Sequence, residues 1–199
     1  SSGTTPDVSL ETVETGMNAA HNAGRAVALT CAMLLCGAST SAVAQTTQIK
    51  TEYLATYLAP LDVPVAVDGS LQIFNVKPGG WVKGPRINGK LVSPGGDWLR
   101  TMPSGVFRLD VRAMFRTDDG ADIYVSYNGI IQHSRESAER LMKGEVLTDK
   151  DMPYFVTAPT FQTSSAKYAW LNGVQAVAKM VEVKAGDGGY VKYDVFVVR

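Results

Sequence analysis

Cysteine is nearly missing from this 199-residue chain, which holds only Cys31 and Cys36. Both fall in an N-terminal stretch laid out like an export signal. The segment beyond it therefore has no thiol for a disulfide, a nucleophile or a metal site. Histidine is as scarce, with His21 in that stretch and His133 alone after it. One imidazole without a cysteine or a second candidate ligand near it removes most familiar catalytic and metal constellations, so His133 reads as a surface or helix-entry residue. An excess of one charge is lacking too, since 19 basic and 19 acidic residues cancel. Taking Arg25 from the first and Asp7, Glu11 and Glu14 from the second leaves 18 and 16, a net of +2 beyond the leader. That balance carries no footprint of nucleic acid or an acidic partner. Gly79-Gly80 and Gly95-Gly96 precede no strand-to-helix transition and are not phosphate loops. Asp118-Asp119 and Asp149 with Asp151 fit turn chemistry and lack the spacing of a calcium loop or a glycosidase pair.

What is present begins at Met17, where a polar start with Arg25 leads into the apolar run Ala26 to Cys36. Gly37 to Ser41 and Ala42-Val43-Ala44 follow, the order of a secretory signal peptide with cleavage after Ala44. The run is too short for the ~20 residues that span a bilayer. Residues 1–16 read as an upstream extension or an expression remnant, 17–44 as the signal peptide and 45–199 as one domain in a periplasmic or secreted setting.

From Gln45 the chain is punctuated by Gly and Pro between short alternating segments. Ile49 to Ala59, Leu71 to Val76, Ile87 to Val92, Asp97 to Thr101, Tyr154 to Thr163, Val174 to Lys184 and Tyr190 to Val198 all read as strands. One helix is expected, about Arg135 to Lys143, with Ser134 as N-cap and Gly144 just past its end. Closing such a sheet removes exposed edges, so the fold class is all-β: a single small antiparallel β-barrel of about eight to ten strands.

The centre of the pattern is Val106 to Asn128, in which Thr117-Asp118-Asp119-Gly120 joins two alternating runs as a hairpin. On its first strand Arg108, Asp110, Arg112, Met114 and Arg116 share one face, and Leu109, Val111, Ala113 and Phe115 share the other. Alternation leaves open which face looks inward. With the polar face inward, a carboxylate between guanidiniums, with Tyr124 from the paired strand, makes an acid/base cluster. With the apolar face inward, the charges are a solvated ladder worth roughly 0–1 kcal/mol per pair.

Three segments, GPRINGKLVSPGGDW at Gly84 to Trp98, RLDVRAMFRTDDGADIYV at Arg108 to Val125, and YFVTAPTFQT with YAWLN at Tyr154 to Asn172, resemble the domain-of-unknown-function 3237 family. The resemblance spans about Tyr53 to Val198. It implies a compact barrel shaped like allene oxide cyclase and dirigent barrels, with no settled activity. It retains Asp110 and Arg112 within its motif and so favours the polar face as a site. The family pattern often has arginine where this chain has Val156, Thr160 and Gly173, which implies that an anionic ligand favoured elsewhere is disfavoured here.

The expected catalytic group is therefore Asp110 as acid or base, Arg112 orienting it and Tyr124 donating a proton. Substrate contacts are expected from Asp97, Trp98, Arg108, Tyr154, Phe161, Trp170 and Asn172, with Tyr168 in the same aromatic wall and Tyr168, Trp170 and Asn172 sharing strand parity. The expected function is cofactor-independent isomerase, cyclase or lyase chemistry on a small aromatic or hydrophobic molecule. A non-catalytic carrier and a solid structural module are the alternatives. No cofactor, metal, nucleic acid or lasting membrane insertion is implied, and self-association is left open.

Overall fold

The computed structural model describes residues 47–199; the signal peptide, its cleavage site and the upstream extension read from the sequence lie outside them. Eleven strands and one α-helix follow in order: β1 Thr51–Pro60, β2 Val65–Ala66, β3 Leu71–Asn75, β4 Trp81–Lys83, β5 Asn88–Thr101, β6 Phe107–Thr117, β7 Asp122–Gln132, α1 Arg135–Met142, β8 Val146–Thr148, β9 Tyr154–Gln162, β10 Ala176–Lys184 and β11 Tyr190–Val198. The order β5-β4-β1-β11-β10-β9-β7-β6 returns to β5, closing an eight-stranded antiparallel barrel. The β2–β3 hairpin lies along the C-terminal half of β5, and β8 pairs with β10 outside the ring.

The β6–β7 hairpin forms where the alternation places it. Gly120 takes φ +86°, which the turn requires and L side chains rarely adopt. Thr117 Oγ1 accepts from the Ala121 N–H at 2.8 Å, satisfying a backbone donor that the turn frees. Helix α1 starts as its sequence says, with Ser134 Oγ accepting from Ser137 N, and Gly144 follows at φ +75°. His133 precedes that cap and stacks on Phe107 with ring centres 4.7 Å apart.

Two elements differ from expectation. Ile87 to Val92 and Asp97 to Thr101 are one strand, β5, with a register shift between Val92 and Gly96. Ser93-Pro94-Gly95-Gly96 loops out as a bulge instead of reversing the chain, because proline cannot donate to the ladder and glycine tolerates the bend. Before the bulge β5 pairs with β4, and after it with β3. Ala169–Gly173 forms a 3-10 turn, so Tyr168, Trp170 and Asn172 do not share a strand face.

The face of β6 is settled by packing. Leu109, Val111, Ala113 and Phe115 are buried inside the barrel, whereas Arg108, Arg112 and Arg116 are exposed and Asp110 is half-buried. Magnitudes decide this. Facing inward, three guanidiniums would meet one carboxylate, and each unpaired buried charge costs several kcal/mol. The four apolar groups instead gain about 25 cal/mol per Å² removed from water.

Candidate functional site

Asp110, Arg112 and Tyr124 are therefore corrected in placement: none faces an enclosed hollow. Arg112 Nη1 donates to Asp110 Oδ1 at 2.7 Å with both side chains about half exposed. Tyr124 pairs with Met114, while Asp110 pairs with Asn128 four residues along β7. At ~3.3 Å per residue that leaves roughly 13 Å between them. Trp98 also faces outward, 37% exposed, with the Arg112 guanidinium 5.7 Å from its ring centre. Strands β5 and β6 thus bring Trp98, Asp110 and Arg112 together, but on the barrel's outer wall.

The other expected contacts scatter. Arg108 and Tyr154 line an outer cleft of about 470 Å³ over β6, β7, β9 and β10. Trp170 lies half-buried at one barrel end, with Arg86 stacked 3.6 Å above its ring, in a cleft of about 490 Å³. Asp119 sits there as well, its carboxyl held down at about 2 chiefly by Lys167, which donates to it at 2.6 Å. Asn172 is a structural clamp, since its Oδ1 accepts from Thr163 N at 2.8 Å and its Nδ2 donates to Thr163 O at 2.9 Å. Phe161 is buried and borders an interior void of only about 10 Å³. That volume is near the minimum for one water, so no open lumen runs through the barrel.

Asp97 alone among the expected residues carries a titratable group into the interior. It is 8% exposed, and its Oδ1 accepts from the Asp110 N–H at 3.2 Å. Burial pushes its pKa up from 3.8 to about 7, the Asp110 N–H opposing and the Asp110 charge adding. A carboxyl poised there exchanges protons at neutral pH.

Three tyrosines share the interior with it. Tyr57 Oη donates to Tyr127 Oη at 2.8 Å, and the Tyr193 ring centre lies 5.2 Å from that of Tyr57 and 6.2 Å from that of Tyr127. Burial is the largest cause raising all three pKa values, and the Asp97 charge raises each further. The phenols therefore stay neutral at any physiological pH. Sequence reasoning passed over these tyrosines, although each sits on an otherwise apolar strand face: Tyr57 with Ala55 and Ala59, Tyr127 with Val125 and Ile131, Tyr193 with Val191 and Val195.

Thr157 adds a signal of its own. Its Oγ1 is buried with no hydrogen-bond partner, and it pairs with Gly129 across β7–β9. A Cβ on Gly129 would sit 2.7 Å from Thr157 Cγ2, so glycine there is what admits the threonine. A buried, unsatisfied hydroxyl costs about 1–3 kcal/mol. Thr157→Val, nearly the same shape without that group, is expected to raise the unfolding free energy by about 1 kcal/mol in denaturant melts. A loss of stability instead would mean that the hydroxyl is bonded.

Among the described residues no cluster of three or more His, Cys, Asp or Glu side chains is placed to hold a metal, and no helix is long and apolar enough to cross a membrane.

Comparison with known proteins agrees with the fold. A UPF0311 protein of Rhodopseudomonas palustris strain TIE-1 is 35% identical over 129 residues, covering 63% of this chain and 84% of the relative. The crystal structure of a conserved protein of unknown function from Rhodopseudomonas palustris matches with TM-score 0.69 at 30% identity, over 77% of this chain and 99% of that one. The hydroalkoxylation enzyme phnH of Penicillium herquei is 31% identical over 110 residues, 55% of this chain and 57% of the enzyme. A family model described as protein of unknown function, DUF3237, matches residues 49–198, and the chain belongs to that family.

Proposed function

We propose that the barrel performs cofactor-independent acid/base chemistry, of isomerase, cyclase or lyase type, on a small and largely apolar aromatic molecule bearing a hydroxyl. The observation that carries this is Asp97, a carboxyl among neutral tyrosines whose pKa lies near 7. Such a group serves as acid and base within one turnover at neutral pH. The likeness to a hydroalkoxylation enzyme supports the reading, because adding O–H across C=C needs both roles and no redox partner.

In that step the Asp97 carboxyl gives its proton to one alkene carbon. The substrate hydroxyl oxygen bonds to the other carbon, and its proton returns to the carboxylate. The Asp110 N–H, 3.2 Å from Asp97 Oδ1, steadies the carboxylate left between the two proton transfers. The filled interior means that the reacting atoms engage Asp97 through the small part of it that stays accessible.

Turnover in deuterated water tests this. Alkenyl phenols incubated with the protein should yield cyclic ethers with one carbon-bound deuterium, read by mass spectrometry. Phenols recovered without deuterium at carbon would point to a carrier that releases its ligand unchanged.

The exported setting is part of the proposal and rests on the layout of Met17 to Ala44. Expression of the full chain in a Gram-negative host should give a periplasmic product whose N-terminal sequence begins at Gln45. Cytoplasmic protein retaining Met17 to Ala44 would contradict it.

A further inference from the structure

Among the described residues, Arg86, Arg112, Arg116, Arg135, Arg140 and Arg199 each reach a carboxylate within 3.3 Å. Arg100 and Arg108 have no such partner within 4.0 Å there, the Asp68 carboxylate lying near enough to feel Arg100 without pairing with it, and they stand directly opposite one another on β5 and β6. Like charges facing across a strand pair are destabilising unless an anion bridges them. Arg108 also stands at the rim of the outer cleft of about 470 Å³, whose lining includes Ile130, Tyr154, Val156, Ala158 and Val177. Tyr154 is 43% exposed, large for an aromatic ring.

We propose that this cleft binds an amphiphile with a single carboxylate, an aromatic or medium-chain aliphatic acid. The carboxylate takes the Arg108 guanidinium, with Arg100 behind it, and the apolar body lies across Ile130, Val156 and Val177. A guanidinium fork matches a carboxylate in two parallel hydrogen bonds, and the cleft has the volume usual for small-ligand sites. Asp110 is the one carboxylate beside this rim on β6, and Arg112 already holds it at 2.7 Å, so the rim stays net positive. The expectation that anions are disfavoured drew on Val156, Thr160 and Gly173. Two other strands supply the cations, while Val156 gives the cleft an apolar floor.

This site is separate from Asp97, which faces inward, and its test does not depend on turnover. Calorimetric titration of the whole protein would use 2-naphthoate and its neutral counterpart 2-naphthalenemethanol. The acid should bind at least tenfold more tightly than the alcohol. Raising the salt to about 0.5 M should weaken the acid alone. Arg108→Gln, at an exposed position that relieves the Arg100–Arg108 repulsion, should not lower the melting temperature and should lose tenfold or more in affinity for the acid, and Val156→Asp should lose affinity similarly by repulsion. Methyl NMR shifts should concentrate at Ile130, Val156 and Val177. The proposal is overturned by an absence of saturable 2-naphthoate binding, by equal affinity for acid and alcohol, by unchanged affinity in Arg108→Gln, or by shifts confined to other residues.

Discussion

Asp97→Asn should give a barrel that is more stable than the parent above pH 7 and that lacks the acid/base chemistry proposed for it. The new amide keeps a carbonyl oxygen for the Asp110 N–H, so the β5–β6 contact survives while the proton-exchanging group is gone. Turnover should fall by about 10²–10⁴, the range that a positioned acid or base contributes. The stability side follows from linkage. The folded pKa of about 7 lies above the ordinary 3.8, so the folded state holds a proton that the unfolded chain gives up. Stability from this group is full below pH ~4, is lost as pH rises toward 7, and stays lost above it. A shift from 3.8 to about 7 corresponds to about 4 kcal/mol. Melting temperatures of Asp97→Asn and parent should therefore agree near pH 4 and separate by about 10 °C at pH 8, the variant higher. A variant that melts lower than the parent at pH 8 would show that the carboxylate is stabilised where it lies.

The second large effect concerns the two faces of β6. Phe115 is buried, with its ring centre 5.6 Å from that of Tyr57. Phe115→Ala should cost about 3–5 kcal/mol through lost transfer energy and the cavity left behind. Arg112→Ala and Asp110→Asn, on the opposite face, should each cost no more than about 1 kcal/mol, since that pair is exposed and screened. Chemical denaturation of the three variants measures the contrast. Comparable losses at Phe115 and Arg112 would mean that the polar face carries structure the packing does not reveal.

Local patterning made most of the architecture readable. Alternation with Gly and Pro punctuation located the β6–β7 hairpin, β11 over Tyr190–Val198 and the capped helix, because period and turn chemistry are encoded within a few residues. The bulge in β5 was hidden for the converse reason. Ser93-Pro94-Gly95-Gly96 has the composition of a reversal, and only pairing with β6 on both sides of it keeps the strand running.

The site was less legible. Asp110 and Arg112 stand out because charged residues alternate conspicuously there, yet desolvation forbids burying that face. Asp97 reads from sequence only as a polar contact. The tyrosines that share the interior, Tyr57, Tyr127 and Tyr193, come from β1, β7 and β11, far apart in sequence, and only barrel closure brings them together. A polar residue on an otherwise apolar strand face was the available clue, and it was present at all three tyrosines.

The central claim, that the barrel interior keeps a carboxyl in a neutral form into the physiological range, is open to direct titration. Infrared difference spectra between the parent barrel and Asp97→Asn, recorded from pH 4 to 9, isolate the carboxylic-acid stretch of that one residue. A protonated band that disappears with a midpoint near 7 is the predicted result. A midpoint near 4, with carboxylate already formed at pH 6, would contradict the account.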